Sequence, residues 1–503
     1  MHNLETALAN LRLLTLSLLW VSISLTSRVV AQALPTGMTY ETRVALVRGM
    51  LEPSRAKAEE DATEVRQKYP NFLQFYADID PAWTAQFILE NPNPNKEVLY
   101  DNNAIMALMK HASELPRNTV RQLIEAAMFM RASAALTAIE SLPEDRADLR
   151  SQIITWGLAS GGDGSGEVHP IMFESLHELA KHSKDVKVQQ RVRKQIAEYF
   201  DSGKHSEFLK SVDTHNRAAY LAILMPFAGE GVEGFETDFQ DLDAHLLGTT
   251  ILRNDQLSDD GKRSKLAQAK RYNFGAQTYE RIMGASQLGL VAQLDIELAL
   301  KWADQAPDEM TRIWAKLTIV PAIAKLDPQA ARKLAKECYE EMKVISSKNS
   351  NELIQLAASP ACVAGLGLFI VQPTCPEQVD QCVEITISVA KNLRTKTQPQ
   401  FYYSAIAAVA PFAPQKAREM YLEIAMDVQI GYAGDFLKAV LAVEPEAFLE
   451  IVQTLPDQDR NGNSVVTRVH NAIIPALLTK EQAAFNAALA SPDSFLQIPG
   501  GVL

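Results

Sequence analysis

The sequence has few of the residue patterns that mark catalytic or metal-binding proteins. Aromatic residues make up 7% of its 503 residues, and none of its four cysteines belongs to a Cys-x-x-Cys pair. None of its nine histidines lies in a Gly-x-Ser-x-Gly or Ser-x-x-Lys context. The sequence therefore predicts no zinc site and no cofactor, although catalytic partners that are scattered along a chain escape such a search.

Positive charge is also scarce. The chain carries 49 lysines and arginines against 61 acidic residues, which gives a formal net charge of −12. The basic stretches at 181–194 and 262–271 alternate with apolar residues at helical spacing, a pattern typical of solvated helix faces. Because an acidic chain repels nucleic acid on average, we expect no nucleic-acid partner.

The apolar run Leu13–Ser27 falls short of the roughly 20 residues that a membrane-spanning helix needs. It is flanked by arginines and followed by small residues at Ala31 and Ala33, which is typical of a cleaved export signal. We predict that residues 1–33 are a signal peptide; an uncleaved amphipathic helix is the alternative. The protein is then exported, periplasmic or extracellular, with no integral membrane segment after cleavage.

A recurring phrase is the most informative feature of the sequence. It consists of a small-apolar helix, a short break before a proline, and a second small-apolar helix. In the copy Ala322–Leu334, the Asp327 carboxylate suits the helix N-cap and Pro328 suits the first helical position. The copy Ala408–Met420 keeps the proline but has Ala413 in place of the aspartate.

Further copies fit the same frame. The residue before the proline position, or its equivalent, recurs at intervals of 32, 48, 38 and 31 residues, which brackets the roughly 34 to 47 residues of helix-pair repeats. These anchor residues are Asp295, Asp327, Cys375, Ala413 and Glu444. An earlier copy, Ile79–Ala85, contains the Asp80-Pro81 pair.

Over about residues 286–455, the chain resembles the α-solenoid superfamily, the tetratricopeptide and HEAT-like group of helical repeats. The resemblance implies a right-handed α-solenoid of stacked antiparallel helix hairpins. It also implies a surface that binds a protein or peptide partner. The resemblance assigns no catalytic residues to this chain.

Composition favours an all-α fold, because the 47% hydrophobic content is supplied mainly by residues that pack between helices. The strand-like run Val383–Val389 follows a helix start at Pro376, so we expect it to be helical. Glycine-rich breaks divide the chain. We predict an N-terminal helical segment (34–160), a linker (161–168), a middle helical segment (169–285), a helical-repeat segment (286–490) and a tail (491–503).

The cysteines leave two interpretations open. Cys375 and Cys382 would lie about 10 Å apart along one helix, beyond the roughly 7 Å limit for bridged Cα atoms. Cys362 and Cys382 would lie on the two helices of one hairpin, where a disulfide is feasible in an exported protein. The favoured alternative is that Cys382 is a buried small hydrophobic residue.

Two patterns resemble metal-binding motifs but depart from them at essential positions. His177 and His182 are five residues apart, which places their rings roughly 140° apart around a helix, so we expect two exposed helical histidines and no shared metal. The loop from Asp457 to Asn463 opens like an EF-hand, but Arg468 stands where a calcium site needs a bidentate carboxylate. A polar loop between helices explains these residues better, and no metal is predicted.

The sequence supports two classes of function. The favoured one is an exported scaffold that binds a protein or peptide through its helical repeats. The alternative is a helical, α/α toroid-like enzyme acting on polysaccharide, which would need polar residues gathered on one rim. Its candidates lie in the middle segment: His205, His215, Asn216, Arg217 and Tyr220.

Overall fold

The computed structural model describes residues 38–69, 71–92, 100–127, 130–158, 173–183, 185–201, 241–243, 247–252, 257–275, 278–349, 352–353, 356, 358–394, 399–424, 432–455 and 464–492. The chain forms two compact units. One contains Leu51–Thr237, and the other combines Ala7–Met50 with Asp238–Leu503. The predicted segment boundaries remain predictions, and the linker at 161–168 lies outside the described residues.

The described part of the first unit is helical. After α1 (Tyr40–Glu60), which begins in the second unit, its helices are α2 (Ala62–Lys68), α3 (Phe72–Ala77), α4 (Pro81–Glu90), α5 (Tyr100–Met109), α6 (Arg117–Ala126), α7 (Arg131–Ser141), α8 (Ala147–Leu158), α9 (Phe173–Ser183) and α10 (Val186–Asp201). Alternate helices pack side by side, since α3 contacts α5, α5 contacts α7 and α7 contacts α9. The helices between them form a second series, α4 to α6 to α8.

The second unit is also mostly helical. It contains β1 (Asp241–Asp243), a π-helical turn (Leu247–Leu252), α11 (Asp259–Gln268), β2 (Arg271–Asn273), α12 (Thr278–Leu294), α13 (Ile296–Ala303), α14 (Glu309–Ala324), α15 (Pro328–Ser346), α16 (Pro360–Thr374), α17 (Val379–Leu393), α18 (Gln400–Val409), α19 (Pro414–Leu422), α20 (Ala433–Val443), α21 (Phe448–Thr454), α22 (Val465–Leu477) and α23 (Gln482–Ala490). Short 3-10 turns, Pro376–Gln378 and Pro445–Ala447, lead into α17 and α21.

The prediction of a mainly helical protein is confirmed for the described residues. The exceptions are β1 and β2, which pair in parallel over three residues each, with Leu242 opposite Tyr272. The strand-like run Val383–Val389 lies inside α17. Its β-branched side chains are accommodated there because the helix packs on both α15 and α16.

Helices α12 to α21 pack in two series. We call α12, α14, α16, α18 and α20 the inner helices, because each packs against the next and their side chains are largely buried. The helices that follow each of them, α13, α15, α17, α19 and α21, are the outer helices. Each outer helix packs against the inner helix that precedes it in the chain.

One turn geometry connects every inner helix to its outer partner. Its central residues are the anchors that the sequence predicted, and each has φ between -138° and -152° with ψ between 59° and 101°. The N–H of each anchor donates to the carbonyl four residues earlier, at 2.6 to 2.8 Å. The acceptors are the carbonyls of the buried residues Val291, Ile323, Val371, Val409 and Val440.

The side chain of the anchor varies while the backbone turn does not. Asp327 accepts hydrogen bonds from the N–H groups of Gln329 and Ala330, at 2.9 and 3.0 Å. Asp295 caps α13 in the same way, through the N–H of Leu298. Cys375, Ala413 and Glu444 occupy the same position without a side-chain cap. The backbone geometry is therefore shared, and the aspartate adds stability to it.

The first unit contains the same turn. Asp80 has φ −143°, its N–H donates to the Tyr76 carbonyl at 2.9 Å, and its carboxylate accepts from the N–H of Trp83. The copy of the phrase near the start of the chain is thus confirmed as a turn between α3 and α4.

Ion pairs connect neighbouring outer helices. On either side of α17, Arg332 pairs with Glu377 at 2.5 Å, and Lys391 pairs with Glu423 at 2.8 Å. Lys416 of α19 also pairs with Glu384 of α17. These side chains are all partly exposed, so each pair contributes modestly and the apolar contacts of the inner helices dominate.

The shared turn predicts opposite effects for two substitutions. Asp327→Ala removes an N-cap and should lower the free energy of unfolding by about 1 kcal/mol, whereas Ala413→Asp introduces the missing cap and should raise it. Denaturant unfolding of the full chain measures both. Asp327→Asn keeps a side-chain acceptor and serves as the control. A loss of stability in the Ala413→Asp variant would show that the two turns are not equivalent.

Candidate functional site

Buried polar side chains interrupt the apolar core at α18, α20 and α23. On α20, Asp435 and Lys438 are 3% and 1% exposed, in a helix whose other residues from Ala433 to Leu441 are buried and apolar or glycine. Ser404 of α18 and Asn486 of α23 are also buried. Buried charges are costly unless they are paired, and so such a group marks either a structural anchor or a binding site.

The orientation of α18 follows from its contacts. The Tyr402 hydroxyl donates to Glu423 beyond α19 at 3.2 Å, so this face of α18 points to the outer helices. The ring of Tyr403 meets that of Phe436 on α20, with 5.6 Å between centroids. On the opposite flank α18 approaches α16, where a Cβ added at Gly365 would lie 2.7 Å from the Cβ of Ala408.

Only one side of α18 remains for its polar residues. At about 100° per residue, Gln400 and Ser404 lie roughly 160° to 200° around the helix from Tyr402, away from the outer helices. The helix that packs on α18 from this remaining side is α23. We call this side of α16, α18 and α20, which α23 contacts, the covered face.

Lys438 anchors the end of α23. Its Nζ donates to the carbonyl of Ser491, the C-cap residue of that helix, at 2.8 Å. A cation at a helix C-terminus is stabilised by the unpaired carbonyls there. Asp435 lies one turn earlier on α20. Beside the larger effect of burial, both charges act on the Cys362 thiol of α16, where Asp435 raises its pKa and Lys438 lowers it.

Two polar atoms at the covered face lack partners. Within the described residues, Ser404 Oγ and Asn486 Nδ2 are buried and accept or donate no hydrogen bond. The other end of the same amide, Asn486 Oδ1, accepts from Gln482 Nε2 at 3.1 Å. A buried polar atom without a partner costs about 1–3 kcal/mol, so α23 is not fully matched to the face that it covers.

Arg43 of α1 holds the turn that leads into α23. All five of its N–H groups have acceptors, at 2.7 to 3.2 Å: the carbonyls of Met38, Leu477, Thr479 and Lys480 and the Oε1 of Gln482. Its guanidinium also lies 4.4 Å from the centre of the Phe485 ring. The carbonyls at the C-terminus of α22 stabilise this buried cation without a carboxylate.

The four cysteines are free and buried, and no disulfide joins Cys362 to Cys382. Burial is the main cause that raises the pKa of the Cys362 thiol well above its ordinary value, and Asp435 adds to the effect. Burial also raises the pKa of Cys382, to about 12, with a smaller contribution from nearby Cys375. The favoured interpretation of Cys382 as a buried hydrophobic residue agrees with this, and neither thiol is an activated nucleophile.

An open cavity of about 570 Å³ lies beside β2. It is lined by residues 270–275 and by Gln305 and Pro307 at the end of α13. Lys270 and Arg271 are exposed at its start, and the buried ring of Tyr272 stacks on Trp302 beneath it. The lining combines cations, amides and backbone without a cluster of catalytic groups.

The two histidines of the metal-like pattern lie on α9. His182 is exposed, whereas His177 is half-buried, so the expectation of two exposed rings holds for one of them. Burial lowers the pKa of His177, and nearby Lys181 lowers it further. In the described part of the chain, no group of three or more histidine, cysteine or acidic residues is arranged to hold a metal.

Several predicted features lie outside the described residues. These are the signal peptide at 1–33, the toroid candidates His205, His215, Asn216, Arg217 and Tyr220, and the loop from Asp457 to Asn463. Of the calcium-like pattern only its end is described, where Ser464 caps α22 through the N–H of Thr467 at 3.1 Å. Among the helices that the structure describes, none is long and apolar enough to cross a membrane.

The sequence analysis missed the polar residues of the covered face. A signal was present, because Asp435 and Lys438 are charges three residues apart in an otherwise apolar helix, and Asn486 interrupts an alanine-rich one. Arg43 had no such signal, since most of its acceptors lie more than 430 residues away in the chain.

Arg43→Lys should destabilise the second unit. Lysine has three donors in place of five, so at least two of the five acceptors lose a charged partner, and we expect a loss of about 2–4 kcal/mol. Arg48→Lys, at an exposed position on the same helix, is the matched control and should change little. Denaturant unfolding measures the stability of both variants. Equal losses in Arg43→Lys and Arg48→Lys would contradict the role of Arg43 in holding the turn before α23.

The burial of His470 predicts that the free energy of unfolding depends on pH. This histidine is buried in α22, and burial lowers its pKa to about 4 from an ordinary value of 6.5. The folded state therefore favours the neutral ring, and its contribution to stability is present above pH 6.5. As the pH falls towards 4, roughly 3 kcal/mol should be lost. In the His470→Gln variant, unfolding measured over this range should show a correspondingly flatter pH profile.

Comparison with known proteins provides no identification, because no family model, no curated protein and no solved structure matches the chain.

Proposed function

We propose that the protein is an exported α-solenoid of the tetratricopeptide and HEAT-like kind, which binds a protein or peptide partner. One observation carries the proposal: the same turn joins each inner helix to its outer helix at five successive positions. Identical connections between successive pairs produce a regular displacement from one pair to the next, which is how a right-handed superhelix arises.

The packing order adds support. Inner helices contact inner helices over α12 to α20, and the outer helices α15 and α17 contact each other. Each pair thus buries against its neighbours a surface that it could not bury alone, as helical repeats do. Within the first unit, taken by itself, α3, α5, α7 and α9 also show alternating contacts.

Binding follows from the form of such a protein. A row of parallel helices presents side chains at regular intervals over a long surface, and this surface suits an extended or helical polypeptide. Among the described residues, the buried Cys362 thiol is not an activated nucleophile, and no group of residues is arranged to hold a metal. The proposed binding role requires neither. The proposal includes export by the predicted signal peptide at 1–33, with the partner in the periplasm or outside the cell.

A displayed-peptide selection against the full exported chain tests this function. We expect enriched peptides that bind with micromolar or better affinity in fluorescence anisotropy. Immobilised sugar polymers form the parallel arm of the experiment. Retention of the protein on a sugar polymer, with no peptide enriched, would reverse the proposal in favour of a polysaccharide-active protein.

A further inference from the structure

The helix α23 crosses the inner helices instead of extending their series. It contacts α16, α18 and α20, three successive inner helices, and it does so on the side away from the outer helices. From Ala484 to Ala490 every residue of α23 is buried. The covered face is therefore occupied by a segment of the chain itself.

The sequence of α23 fills this face with little apolar bulk. Five of the nine residues from Gln482 to Ala490 are alanine, and the two large side chains are Phe485 and Leu489, four residues apart. Beneath α23, Gly365 of α16 and the alanines of α18 allow α16 and α18 to approach each other closely. Most of the apolar contribution to docking must come from Phe485 and Leu489.

The polar contacts of α23 are of two kinds. At its C-terminal end, Lys438 binds the backbone carbonyl of Ser491, which any helical sequence would provide. At its N-terminal end, Arg43 binds the carbonyls of the preceding turn and the side chain of Gln482. In its middle, Ser404 Oγ and Asn486 Nδ2 are buried without partners in the described residues. A helix that left no such atoms unpaired would bind this face better by the free energy of one or two hydrogen bonds.

We propose that the covered face is the binding surface for a partner's alanine-rich amphipathic helix, and that α23 occupies it as an intramolecular ligand. This inference rests on the proposed binding function and specifies its site. The partner helix carries an aromatic and an aliphatic anchor four residues apart, as α23 does, and in place of Asn486 a polar group that pairs with the Ser404 hydroxyl of the covered face. It binds when α23 leaves.

Competition with α23 sets the affinity of the partner. The connection from α22 to α23 is short, running from Leu478 to Glu481, so α23 is present at an effective concentration in the millimolar range. A free helix with the same contacts must overcome that advantage. The unmodified protein should therefore bind weakly, and weakening α23 should strengthen the binding of an external helix.

The test uses a labelled synthetic peptide with the sequence of residues 481–491 and the full exported chain. Leu489→Ala in the protein weakens α23 without touching the covered face or the contacts of Arg43. We expect this variant to bind the peptide at least tenfold more tightly than the unmodified protein in fluorescence anisotropy. A peptide that carries Leu489→Ala should bind the variant at least tenfold less tightly.

Val344→Ala, at a residue 66% exposed on the outer helix α15, is the control and should bind the peptide as the unmodified protein does. Unchanged peptide affinity in a folded Leu489→Ala variant would overturn the proposal. So would cooperative unfolding of the second unit in that variant, because α23 would then belong to the core.

Hydrogen exchange in the unmodified protein gives an independent measurement. The amides of α23 should exchange faster than those of α18 and α20, because α23 opens without global unfolding. Equal protection of the three helices argues against the proposal. If the peptide binds but the displayed library yields no ligand, the intramolecular device stands and the wider function fails. If library ligands bind the unmodified protein and the Leu489→Ala variant equally well, the wider binding function stands and the intramolecular role of α23 fails.

Discussion

The hydrogen bond from each anchor residue to the carbonyl four residues earlier is the constraint on which the second unit depends. It closes the end of an inner helix, and the residue after the anchor begins the outer helix or the short 3-10 turn that leads into it. Five turns share this geometry, and each inner helix packs against the next.

Burial of apolar side chains stabilises the inner helices that these turns connect to the outer helices. The inner helices are buried on several sides, and their small side chains permit close approach, as at Gly365 beside Ala408. The ion pairs between outer helices are exposed and add little by comparison. The inner helices therefore contribute most of the stability of this series.

Polar residues enter this core where the chain folds back on itself. Lys438 holds the C-terminal end of α23 through the Ser491 carbonyl, and Arg43 holds the preceding turn and the Gln482 side chain. Ser404 and Asn486 each leave a buried polar atom without a partner among the described residues. These two unpaired atoms, beside the satisfied contacts at the ends of α23, are the reason that we propose the covered face as a binding site.

The sequence alone determined the helices and the turns between them, since Asp327, Pro328 and their equivalents act within a few residues of their own position. It could not determine that α23 crosses the inner helices, or that Arg43 reaches the carbonyl of Leu477. Those contacts join residues far apart in the chain and leave no periodic pattern. Only the tertiary structure could bring the buried charges and the covered face together.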